Sequence, residues 1–275
     1  MSAGATVETA KTSQDKDLRV VVAGTGSIGR AVTEALARGE VPGCTLLDTV
    51  GSGTPRHQVD ALLSGADVLV EATTVDAARR LVPRALALGT DVVVCSCGVL
   101  AEPGTTGRPD SRDHGALPAP GRVLLPTGAL GGFDVLAAAA RAGTRDAHVL
   151  HTTVKRPAAL GVDPQVTAAV EVFRGTARQA ALAYPRTSNS SVALALATLG
   201  LDRVEVVVVA DPAATATRHE VSWTSPVGSY RLTFENAVHP GSGGRTSMIT
   251  AWSVVDLLAG LHRGVGPGAV VVSTW

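Results

Sequence analysis

Residues Leu18 to Arg30, LRVVVAGTGSIGR, constrain this chain more than any other segment, because an apolar run stops at Gly24-x-Gly26-x-x-Gly29 and resumes as the helix-forming AVTEALARG. The order is strand, tight loop, helix. Gly24 allows the turn, Gly26 lets the backbone approach a pyrophosphate, and Gly29 lets the helix pack against the strand. The unpaired N–H groups where the helix begins, at Ser27 and Ile28, meet the phosphate charge. An acid, Asp48, follows about 20 residues on at the end of the apolar run TLLD, where a ribose hydroxyl is expected. The pattern reads as an NAD(P) site; the alternative is a glycine turn in an unrelated α/β domain.

Composition narrows the partners. The 275 residues carry a formal net charge of zero, so no field over the whole surface recruits nucleic acid or anionic membrane, and a small-molecule partner is expected. No apolar run reaches membrane-spanning length, and the polar N-terminus MSAGATVETAKTSQDKD lacks the apolar core of a secretory signal, which predicts a cytoplasmic protein. Cys44, Cys95 and Cys97 form no zinc-type pattern, so no metal is expected; in VVVCSCG strand alternation predicts Cys95 and Cys97 on one face as buried free thiols. Nearly all cations are arginine. Lys11 and Lys16 lie in the tail, so Lys155 is the sole lysine of the folded body and a candidate for chemistry rather than solubility.

Along the chain, 1–17 reads as a disordered tail. From Leu18, strand-like Val/Leu runs alternate with helical segments through VVVCSCG, the signature of a parallel sheet covered on both faces. Ala101 to Arg122, dense in Pro and Gly, reads as an irregular surface loop, long enough to be mobile. A strand, a Gly-rich turn and an Ala-rich helix follow in RVLLPTGALGGFDVLAAAARAG. Then strands succeed one another with one main helical interruption, and TSMITAWSVVDLLAGLHRG closes the chain as a helix. The predicted fold is α/β: a doubly wound Rossmann-type nucleotide domain at 18–127 and an α+β substrate and dimerisation domain with a mainly antiparallel sheet at 128–242. A C-terminal segment, 243–275, returns to the nucleotide domain.

Several collinear pieces together resemble the L-aspartate dehydrogenase family over nearly all of the chain after the tail: GTGSIGR at Gly24, VEAT at Val70, CGVLAE at Cys97, TGALGGFD at Thr127, TTVKRP at Thr152, VFRGTARQAALAYP at Val172, VADP at Val209 and RHEV at Arg218. ENAVHPGSGGRTS at Glu235 is similar more loosely. The resemblance implies NAD(P)-linked oxidative deamination of L-aspartate to iminosuccinate, which hydrolyses to oxaloacetate and ammonia or feeds quinolinate synthesis, with reductive amination as the reverse. It puts Ala129 and Asn189 on NAD-contacting positions, His219 on the active-site histidine, and a homodimer interface on the second sheet.

Chemistry supports these positions. Oxidation at the α-carbon needs a neutral amine and the imine needs an activated water, so a group titrating near neutrality, such as His219, is useful there; read alone, it is a histidine hydrogen-bonded in a strand. His151 adjoins the TTVK motif and is a weaker candidate. An acidic amino-acid substrate brings two carboxylates, for which Lys155 and the Gly131-Gly132 turn at a helix start are the candidates. Their bland alternatives are a solvated strand end and a turn set by backbone geometry. Asp48 predicts NAD over NADP, while Arg56 in the next loop softens the exclusion of a 2′-phosphate. The chain departs from the family at Thr187, where Asn is usual, and at Ser190 and Ser191, usually apolar. Two rivals therefore stand: a pathway-specific imine reductase or amino-acid dehydrogenase acting on an aspartate analogue, and a non-catalytic NAD(P)-binding regulator.

Overall fold

The computed structural model describes residues 16–102, 120–163, 165–243 and 245–264; no helix among them is long and apolar enough to cross a membrane. Most of the expected disordered tail and of the expected Pro/Gly-rich loop lies outside the described residues.

The first layer runs β1 (Leu18–Ala23), α1 (Ser27–Ala37), β2 (Cys44–Val50), α2 (Arg56–Gly65), β3 (Val68–Glu71), α3 (Val75–Ala87), β4 (Asp91–Val94) and the short β5 (Val123–Leu124). These five strands form one parallel sheet in the order β2-β1-β3-β4-β5. Both faces are covered, which is why the central strands are unbroken apolar runs. Val20 and Val22 pack with Val32, Ala35 and Leu36 of α1, while Val21 and Ala23 pack with Leu63 of α2 and Ala78 and Val82 of α3.

The second layer comprises α4 (Phe133–Ala142), β6 (His148–Lys155), α5 (Pro157–Leu160), β7 (Val170–Thr176), α6 (Ala177–Ala183), α7 (Asn189–Ala197), β8 (Val204–Ala210), β9 (Thr217–Ser225) and β10 (Gly228–Asn236). Its sheet has the order β10-β9-β6-β8-β7 and is antiparallel except where β6 meets β8. Thr176 and Gln179 form a reciprocal capping box that starts α6 directly from the end of β7. The last helix, α8 (Ile249–His262), buries Val254 and Leu258 completely against the Val20, Val22 and Val32 side of the first sheet. One apolar cluster continues from Val21 and Leu69 through Leu130, Leu136 and Val192 to Val221 and Trp223, so the two sheets share a core.

Strand alternation does not extend through Cys97. Strand β4 ends at Val94, and Cys97 opens a 3-10 turn over Cys97–Ala101. Cys95 therefore packs on the α1 and α8 side while Cys97 packs on the opposite side, correcting the one-face expectation.

Candidate active site

The glycine loop is dictated by close packing at two positions and open at the third. Gly24 has φ +113°, and a Cβ there would lie 2.2 Å from the Ala72 carbonyl oxygen; one on Gly29 would lie 1.9 Å from that of Gly24. Among the described residues nothing stands within 4 Å of a Cβ built on Gly26. Among the described residues no side chain caps the start of α1 at Ser27 and Ile28, which leaves its first N–H groups without a side-chain acceptor. A loop with this opening and these donors fits a pyrophosphate. Ile28 also lines the larger cleft.

Asp48 is exposed on β2, in register with Val21, and its carboxylate accepts from Thr49 N at 2.7 Å. The strand continues two residues beyond it, to Val50. The depression beside Gly24 is walled by Thr25, Arg30, Thr33, Glu34 and Thr49 rather than by Asp48, and Arg56 is exposed at the start of α2.

A cleft of about 510 Å³ opens where β3 and β4 end, lined by the turns after those strands and by Pro185, Arg186 and Asn189. Glu71, fully buried, fixes both turns: its carboxylate accepts from Thr73 N and Oγ1 at 2.8 and 2.6 Å and from Ser96 N and Oγ, both at 3.0 Å. Four donors satisfy the buried charge. Asn189, at the start of α7, accepts from Gly98 N at 3.1 Å through Oδ1 and thereby ties the second layer to the end of β4. Ala129 lines the inner part of the cleft, and its carbonyl accepts from Asn236 Nδ2 at 2.8 Å. Burial pushes the Cys97 thiol up to about 12 and the Cys95 thiol well above its ordinary value, so neither supplies a thiolate near neutral pH.

At the inner end of the cleft His219, on β9, and Lys155, at the end of β6, come together with Arg186, Thr187, Ser190 and Arg245. Lys155 is 4% exposed, and its Nζ donates to the Arg245 carbonyl at 3.0 Å. Burial lowers its pKa to about 8. His219 sits opposite Thr153 on β6 and Phe234 on β10, and its Nδ1 lies 3.1 Å from Thr153 Oγ1 and 3.2 Å from His151 Nε2. Its pKa is held well below the ordinary histidine range, first by burial, then by His151 wherever that ring is itself protonated, and by the Lys155 charge. It is a neutral imidazole near pH 7. With Nδ1 engaged, Nε2 is the nitrogen left for a substrate.

The structure does not bring Gly131 and Gly132 to this cleft. A Cβ on Gly131 would meet the Phe234 ring at 3.3 Å, and one on Gly132 the Leu232 side chain at 2.7 Å, so these glycines permit the turn to approach β10. Thr127, Gly128 and Ala129 are the cleft-lining residues of that turn. Arg186 and Arg245 were missed in the sequence because each lies in a loop, far along the chain from Lys155, amid many other arginines.

Residues 24–108 match the family model of the homoserine dehydrogenase NAD-binding domain, and 134–261 match that of the aspartate dehydrogenase C-terminal domain. L-aspartate dehydrogenase 3 of Bordetella bronchiseptica is 32% identical over 282 residues, covering 93% of this chain and 99% of that protein. The chain belongs to the L-aspartate dehydrogenase family. The L-aspartate dehydrogenase of Bradyrhizobium diazoefficiens is 32% identical over 88% of the chain and 91% of its own length. The crystal structure of aspartate dehydrogenase from Thermotoga maritima shares the fold, with a TM-score of 0.66 at 23% identity over 93% of this chain and 99% of that one. The two matches follow one another along the chain, the first spanning the glycine loop and the second spanning Lys155, Asn189 and His219.

Proposed function

We propose that this chain oxidatively deaminates L-aspartate to iminosuccinate, which hydrolyses to oxaloacetate and ammonia, and runs the reverse reductive amination, with Gly24, Gly26, Ser27, Ile28, Gly29, Ala129 and Asn189 holding the cofactor. The observation that carries this reading is a neutral histidine and a buried lysine lining one cleft that Ile28, at the start of α1 beside the glycine loop, also lines. When bound, the nicotinamide accepts the hydrogen and electron pair of the substrate α-carbon, or returns them.

The protein supplies binding, orientation and proton handling. Lys155, Arg186 and Arg245 meet the two carboxylates; a carboxylate beside Lys155 stabilises an ammonium that burial otherwise disfavours. His219 Nε2 takes a proton from the water that attacks the imine carbon and gives it to the departing ammonia; in reductive amination the transfers reverse. Asp48 favours NAD by accepting from the adenosine ribose, with NADP as a second cofactor admitted by Arg56. The protein acts in the cytoplasm as a homodimer built on the second sheet, whose half-buried Leu150 and Val209 face away from the helices; light scattering at working concentration reads a dimer, and a monomer overturns that part.

A second reading keeps the reaction and changes the substrate. Thr187 and Ser190 line the cleft where the family resemblance gives an amide and an apolar residue, so an aspartate analogue or its imine is the preferred ligand in that case. Cofactor absorbance with L-aspartate, and with oxaloacetate plus ammonium, tests the first reading. Turnover confined to other amino or keto acids favours the second, and tight cofactor binding with no turnover on any of them would instead mark a regulator.

A further inference from the structure

Behind His219 lies a polar cluster inside an otherwise apolar core. His151 is completely buried on β6; its Nδ1 is 2.9 Å from Ser191 Oγ and its Nε2 is 3.2 Å from His219 Nδ1. Thr153 Oγ1 stands 3.4 Å from His151 Nε2 and 3.1 Å from His219 Nδ1. Ser191 is itself 2% exposed, between Ser190 and the apolar run Val192 to Leu196 of α7. Four buried polar side chains thus satisfy one another, and none of them meets a carboxylate among the described residues.

The geometry points to His151, anchored by Ser191, as a positioning residue that fixes the His219 ring through Nδ1, turns Nε2 to the substrate and stabilises the protonated ring. This rests on the reading of His219 as the acid and base. His151 donates from Nδ1–H to Ser191 Oγ, which leaves the Nε2 lone pair facing His219 Nδ1–H. His219 Nε2 is then the bare nitrogen, ready to take the proton of the attacking water. No proton passes to His151. The imidazolium formed at His219 keeps its Nδ1–H bond to a neutral acceptor and loses the Nε2 proton to the leaving ammonia.

A buried aspartate commonly fills this acceptor role behind a catalytic histidine. Here the same pocket receives two substrate carboxylates, and a third anion behind His219 would repel them. A neutral imidazole accepts the hydrogen bond without that repulsion. Burial first, then the Lys155 charge, lowers the pKa of His151 to about 4, so it stays neutral across the working range. The charged groups facing His219 are Lys155 on β6 and Arg186 and Arg245 on the cleft rim; β10 presents Phe234 and α7 presents Ser190. The cluster also gives a reason for the buried serine at 191, where the polar opening of α7 meets its apolar run: without it, His151 Nδ1–H would be buried and unpaired.

The test compares His151→Leu, His151→Gln and Ser191→Ala with His219→Ala. For each, turnover is followed from pH 5 to 9, together with KM for L-aspartate and the Kd for reduced cofactor measured by fluorescence. His151→Leu is expected to lower kcat by about tenfold or more, with KM and cofactor Kd within about twofold. Its acid limb is expected at lower pH, because protonated His219 has lost its acceptor. Gln, which retains an amide oxygen, is expected to restore most of the rate, and Ser191→Ala to move rate and limb in the same direction by less. Should His151→Leu fail to fold, the Gln and Ala variants carry the comparison. Unchanged kcat and limb in His151→Leu, or in Ser191→Ala where the Leu variant does not fold, overturn the proposal, as does a fall in kcat accompanied by comparable losses of substrate and cofactor affinity. Normal turnover by His219→Ala refutes the underlying reading separately.

Discussion

Replacing Lys155 by Met should make the protein more stable and less able to bind its substrate. Lys155 is 4% exposed, and burial lowers its pKa from 10.5 to about 8. The folded chain therefore binds fewer protons than the unfolded chain between those two values. The resulting penalty is complete below pH 8 and disappears as the pH rises towards 10.5. A shift of that size costs about 3 kcal/mol at pH 7. Met has nearly the same length and no charge, so it removes the penalty, but it also loses the donor to the Arg245 carbonyl, worth about 1 kcal/mol. The net gain of about 2 kcal/mol corresponds to a Tm about 4–8 °C higher for a chain of this size. By pH 9.5 the remaining penalty is about 1 kcal/mol, so the gain vanishes. Succinate has no amine to titrate, and its Kd in the cofactor complex should rise about 30-fold, the loss of one desolvated charge partner. Calorimetry at pH 7 and 9.5 with a succinate titration checks both. A lower Tm at pH 7, or unchanged succinate affinity, refutes the assignment of Lys155 as a buried cation awaiting a carboxylate.

His219→Ala or His219→Asn should retain cofactor binding by fluorescence and lose about 10²-fold or more in turnover. NAD should exceed NADP in kcat/KM, and Asp48→Asn should narrow that ratio; a wild-type preference for NADP removes the role given to Asp48. Thr187→Asn should raise kcat/KM on L-aspartate about tenfold if the pocket has been retuned towards an analogue. An efficient wild type and an inert substitution would end that idea.

The first sheet was legible because each of its strands is a local apolar run bounded by helical segments, from Leu18–Ala23 to Asp91–Val94. The glycine loop was legible for the same reason: Gly24, Gly26 and Gly29 act on their immediate neighbours. The site beyond it was only partly so. His219 and Lys155 sit in short motifs, but His151 meets His219 across 68 residues, through the register of β6 and β9, and Ser191 across 40, on helix α7. Glu71 reads as part of a motif, yet its task depends on Ser96 at the end of the next strand. Gly131 and Gly132 resemble an anion-binding helix start; the bulk of Leu232 and Phe234 on β10 is what requires them. Cys95 and Cys97 misled because alternation holds only while a strand lasts, and β4 stops at Val94.

The most direct measurement follows the hydrogen itself. Incubated with NAD and L-aspartate deuterated at the α-carbon, the protein should yield reduced cofactor carrying one deuterium by mass spectrometry, together with oxaloacetate and ammonia, and the His219→Ala variant should yield far less. No reduced cofactor, or reduced cofactor without the label, contradicts oxidation at the α-carbon of L-aspartate.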